Sequence, residues 1–68
     1  MKWYEVELEI PIYGKTFETV QASDLKMAKI IAIRKAEIQY NFDGNSIFVI
    51  RIKEINLWIK LFDHLDFQ

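Results

Sequence analysis

The sequence predicts an α+β fold, a three-stranded antiparallel sheet with one helix on a face, and three patterns carry that prediction. Residues 4 to 12 alternate apolar with polar, residues 25 to 40 contain neither Gly nor Pro, and residues 47 to 55 are dense in β-formers.

In the first segment Tyr4, Val6, Leu8, Ile10 and Ile12 fall on one side, and Glu5, Glu7, Glu9 and Pro11 on the other. That period of two belongs to a half-buried strand. Tyr13-Gly14-Lys15 supplies a turn, and Thr16 to Ala22 returns as a second strand with Val20 and Ala22 in phase. Phe17 is out of phase with Val20, which predicts a bulge or twist near the turn.

Ser23-Asp24 offers side-chain oxygens to the free amides of a first helical turn. The helix then runs from Leu25 to about Tyr40. Its core stripe is Leu25, Ala28, Ala32 and Ala36, widened by Met27, Ile31 and Ile38, and the alanines allow close approach to a sheet. Asn41 or Gly44 provides the left-handed residue that ends it. In the third strand, Ile47 to Ile55, the expected core set is Phe48, Ile50 and Ile52, with Val49, Arg51 and Lys53 opposite. A hairpin, a helix returning over the sheet and a third strand antiparallel to the first give spatial order 2-1-3, a ββαβ unit. Glu5, Glu7 and Glu9 then face Arg51 and Lys53 across the ladder.

Residues 56 to 68 read two ways. Leu57, Ile59 and Leu61 alternate as in a strand, whereas Trp58, Leu61, Phe62 and Leu65 recur as on a helix. A short helix is the expectation and a kinked extension of strand three the alternative. The chain is read as one domain, residues 1–68, made of a 1–55 core and this C-terminal segment. Sixty-eight residues hold one small core and leave little for a deep catalytic cleft.

A hydrophobic fraction of 51% with 28% charged residues excludes a disordered or low-complexity chain. With no Cys there are neither disulfides nor thiolate metal sites, which favours a reducing, cytoplasmic setting. The apolar run Ile30 to Ile33 falls far short of the ~20 residues that cross a bilayer, and Met1 to Glu5 does not read as a signal peptide. The net charge of -1 marks neither a broadly basic nor a strongly acidic protein.

Most chemistry is excluded by spacing. Gly14-Lys15-Thr16 lacks the upstream glycine of a phosphate loop, its place being taken by Glu9. Asn41 to Asn45 resembles a calcium loop, but Ile52 stands where a bidentate Glu belongs. His64, the single histidine, has only Asp63 and Asp66 beside it. Ser23 and Ser46 are cap and turn residues without a base, and Glu5, Glu7 and Glu9 solubilise an open face. No catalytic residue, metal or cofactor is expected, and the protein is read as non-enzymatic.

Two features are left. The helix is more apolar than one buried face requires, since Ile30 and Ile33 point away from the alanines and Tyr40 lies at the edge of that second patch. Either Trp58, Leu61, Phe62 and Leu65 fold back and cover it, or helix and tail form a surface for a second copy or a partner protein. The other feature is a basic set for nucleic acid, Lys26, Lys29, Arg34 and Lys35. At roughly 100°, 40°, 180° and 280° around the helix these do not form one stripe. Trp3 could stack on a base, but three glutamates beside it would repel phosphates.

The run KTFETVQASDLKMAKIIAIRKAE followed by FVIRIKEI resembles the small ββαβ proteins of bacteriophage and mobile-element genomes. The likeness is carried by Ala22-Ser23-Asp24, Ala28, Ala32, Lys35-Ala36 and Lys53-Glu54-Ile55, and the segment after Ile55 departs from it. Eleven Ile and seven Lys against two Arg agree with an AT-rich coding source. The resemblance brings no catalytic motif. It implies a small interaction protein acting in the host cytoplasm by binding a host protein, in concrete form an anti-CRISPR-like inhibitor of a defence nuclease. The alternatives are a nucleic-acid-binding accessory protein and a self-assembling structural module.

Overall fold

The computed structural model describes residues 1–56. The predicted C-terminal segment, with Trp58, Leu61, Phe62 and Leu65, lies outside the described residues apart from Asn56. The elements are β1 (Lys2–Ile10), β2 (Gly14–Ala22), α1 (Leu25–Tyr40), the 3-10 turn η1 (Gly44–Ser46) and β3 (Phe48–Ile55). The sheet is antiparallel with order β2-β1-β3, as predicted. No described helix is long and apolar enough to cross a membrane.

The helix has the expected bounds because both caps are encoded locally. Asp24 accepts from the Met27 amide at 2.9 Å, and Asn41 takes the left-handed conformation, φ 57° and ψ 47°, that closes the last turn. Asp43 then caps η1 by accepting from the Asn45 amide at 3.1 Å.

The core joins Tyr4, Val6, Leu8 and Ile10 of β1 to Val20 and Ala22 of β2, to the fully buried Ala28, Ala32 and Ala36 of α1, and to Ile47. Each fully buried aliphatic of β1 contributes on the order of 1.5–3 kcal/mol. Three methyl groups on the helix side bring its axis close to the sheet and narrow the contact. Leu25, Met27 and Ile38, expected in or beside the core stripe, are therefore exposed, whereas Ile31 is half-buried against the core. On the β2 side Glu18 faces the helix and is only 9% exposed. Lys35 reaches over it, with Nζ 4.0 Å from the Glu18 carboxylate and donating to the Thr19 carbonyl at 3.4 Å.

Three strand expectations are corrected. First, β1 ends at Ile10: Pro11, Ile12 and Tyr13 form the turn, and Ile12 is 94% exposed instead of lying on the core face. Proline without an amide hydrogen ends the ladder there. Second, the β1–β2 ladder is regular from Lys2↔Ala22 to Ile10↔Gly14, so Phe17 marks no bulge; it simply occupies the face away from the helix, opposite Glu7. Third, the bulge is in β3. The register passes from Glu7↔Arg51 to Leu8↔Val49, leaving Ile50 as the extra residue. That one-residue shift puts Val49 and Ile52 on the core side and turns Phe48 out, opposite Glu9, with 66% exposure; Ile50 is exposed as well.

Candidate protein-binding surface

β1 is the central strand, so its outward residues organise the sheet face that α1 does not cover. Reading across the sheet, the rows are Gln21, Trp3 and Ile55; Thr19, Glu5 and Lys53; Phe17, Glu7 and Arg51; and Lys15, Glu9 and Phe48. Two exposed aromatic rings thus flank a charged centre on opposite edge strands. Phe17 and Phe48 are 56% and 66% exposed, and Trp3 and Ile55 are half-buried at the far end.

The charged centre is ordered by the ladder. Glu7 and Arg51 are cross-strand neighbours with their side chains 3.3 Å apart, the Arg51 guanidinium donating. The Glu7 side chain is recessed at 13% exposure while that of Arg51 remains 71% exposed. Glu5 stands opposite Lys53, so the expected pairing of the acidic strand with β3 holds for two glutamates; Glu9 meets Phe48 instead. Glu5, Glu7, Phe17, Arg51 and Lys53 line a shallow depression of about 70 Å³. That is well below the roughly 300 Å³ at which small-molecule sites begin. The face thus sets two exposed aromatic rings beside paired charges.

The helix residues singled out from sequence do not form one patch. Ile30 is exposed and Ile33 half-buried, and both border an open groove between α1 and η1 whose rim includes Arg34, Glu37 and Gly44. Tyr40 is engaged elsewhere. Its hydroxyl shares a 3.3 Å hydrogen bond with Thr16 Oγ1 and its ring lies 4.9 Å from that of Tyr13, which in turn meets Phe42 edge-on at 5.9 Å.

The basic residues are also divided. Lys26, Lys29 and Arg34 are exposed, and Lys35, also exposed, is turned to Glu18 and the β2 edge. Among the described residues there is no cluster of three or more metal-ligating side chains.

Phe17, Phe48 and Ile50 were missed by sequence reasoning. Phe17 carried a signal, being out of phase with Val20 in a strand whose other apolar residues face inward. Phe48 and Ile50 carried none, because their exposure follows from the bulge. Compared with known protein families, with curated proteins and with solved structures, the chain has no match in any of the three.

Proposed function

We propose that this protein is a non-enzymatic binding module that acts by covering a surface of another protein with its open sheet face. One observation carries the reading: Phe17 and Phe48, each more than half exposed, flank the Glu7–Arg51 pair on a face that no described element covers. Exposed aromatic rings are costly in water and supply the anchors of protein interfaces, while ladder-ordered charges set orientation. The resemblance to small phage and mobile-element proteins makes a host enzyme the target class, and a defence nuclease its concrete form.

The test is affinity capture from lysate of the source organism's host, with and without nuclease treatment, comparing the native chain with Phe17→Thr/Phe48→Thr. Threonine keeps strand propensity while removing the rings. A stoichiometric protein that survives nuclease and is lost with the double variant supports the reading. Equal capture by both chains refutes this face, and loss of every partner on nuclease treatment replaces it with nucleic-acid binding.

A further inference from the structure

The hairpin tip holds a conformation that its own sequence disfavours. Ile12 follows Pro11 with φ 77°, in the left-handed region that normally belongs to glycine or asparagine. A β-branched residue there is strained. The Ile12 side chain gains little from packing in return, being 94% exposed. The tip is nonetheless braced: Tyr13 stacks obliquely on Tyr40, meets Phe42 edge-on, and Thr16 is hydrogen-bonded to the Tyr40 hydroxyl. An aliphatic knob thus projects from a turn that is tied to the helix end.

The same chain carries a complementary recess. The open groove between α1 and η1 has a volume of about 340 Å³, with Ile30 and Ile33 as its apolar wall. Gly44 is pressed so closely on this wall that an added Cβ would lie 3.0 Å from Ile33 Cγ2. Charges match as well. Arg34, Glu37 and Asp43 line the groove, Glu37 being taken up by the Gly44 amide, and Glu9 and Lys15 flank the tip; Arg34, Asp43, Glu9 and Lys15 have no ion-pair partner among the described residues, so each end offers one charge of either sign.

We propose that the tip of one copy seats Ile12 against Ile30 and Ile33 in the groove of a second copy, and that the second copy returns the same contact. A reciprocal, two-fold arrangement uses both knobs and both grooves and closes as a dimer. It covers apolar side chains that a chain with so small a core leaves wet. The contact shares Glu9 and Lys15 with the rim of the open sheet face but includes neither Phe17 nor Phe48, so Phe17→Thr/Phe48→Thr leaves the seating of Ile12 intact and either proposal can fail alone.

Sedimentation of the purified full chain over a roughly hundredfold concentration range tests it. The native protein is expected to pass from monomer to dimer. Ile12→Asn, which suits the left-handed turn, and Ile30→Lys, on the solvent side of the helix, are each expected to weaken association by roughly tenfold or more. Their circular dichroism should remain native. Because the chain has no cysteine, Ile12→Cys mixed with Ile30→Cys should give a mixed disulfide between the two chains. Ile12→Cys mixed with Ile38→Cys, on the exposed outer helix face, should not. A native chain that stays monomeric throughout overturns the proposal, as does a dimer indifferent to Ile12→Asn or a mixed disulfide no more abundant at residue 30 than at residue 38.

Discussion

Gly44 and Glu37 are locked together: the Gly44 amide donates to Glu37 Oε2 at 2.9 Å, and a Cβ built on Gly44 would stand 2.8 Å from the same oxygen. The pair ties the turn after α1 back onto the helix and so fixes where β3 begins. Replacing Gly44 by Ala must push the Glu37 carboxylate aside and break the bond, at a cost of about 0.5–1.5 kcal/mol. Glu37→Ala removes the same bond from the other side. The double variant should therefore be less destabilised than the sum of the two, a coupling readable from urea unfolding of the four chains. Additive losses would mean that the bond contributes nothing.

Strain at Ile12 makes an opposite prediction. Ile12→Asn gives up almost no burial and places a residue tolerant of positive φ in the turn, so the monomer should gain about 1 kcal/mol. Unfolding must be followed at high dilution, where self-association does not contribute. An unchanged or lowered midpoint would show that the turn accommodates isoleucine without strain.

The alanine stripe is a spacing device and should fail when enlarged. Ala32 is fully buried between α1 and the sheet, midway between Ala28 and Ala36. Ala32→Leu adds three carbons at a position already fully buried and must lift the helix or distort rotamers, costing about 1–3 kcal/mol by thermal or urea unfolding. Ile38→Leu, at an exposed position of the same helix, should change stability by less than about 0.5 kcal/mol.

The rings of the open face should matter little to folding. Phe17→Thr and Phe48→Thr place a β-branched residue of high strand propensity at positions that are more than half exposed, so each should shift unfolding by no more than about 0.5–1 kcal/mol. A larger loss would place these rings in the core of the folded chain and remove them as a binding surface.

What the sequence disclosed depended on whether the determining interaction was local. Asp24 caps α1 through a bond three residues away and Asn41 through its own left-handed conformation, and both helix ends were legible. Strand order followed from topology alone. The parity of β3 was not legible, because Ile47-Phe48-Val49-Ile50 is apolar throughout and offers no alternation to read. Its facing is decided by pairing with β1, a contact more than forty residues away in sequence. Ile12 misled for the converse reason: alternation continued through Pro11 although the ladder could not. The candidate surface inherited both errors, so the helix patch was visible in sequence while the aromatic sheet face was visible only through Phe17.

The bulge itself is open to a direct test. Ile50 is the unpaired residue between Glu7↔Arg51 and Leu8↔Val49, and it is 45% exposed. Deleting it joins the two ladder segments without changing which face any other β3 residue occupies, since the pairs on both sides keep their partners. The deletion should fold, retain the Leu8–Val49 and Glu7–Arg51 cross-strand contacts in nuclear Overhauser spectra, and flatten the local twist. Deleting Ile52 should do far more damage. That residue faces Val6 in a regular stretch, and its loss brings Arg51 opposite Val6 on the core side and Ile50 opposite Glu7. A chain without Ile50 that fails to fold, beside one without Ile52 that folds, would show that the bulge holds the sheet together and that Ile50 is no spare residue.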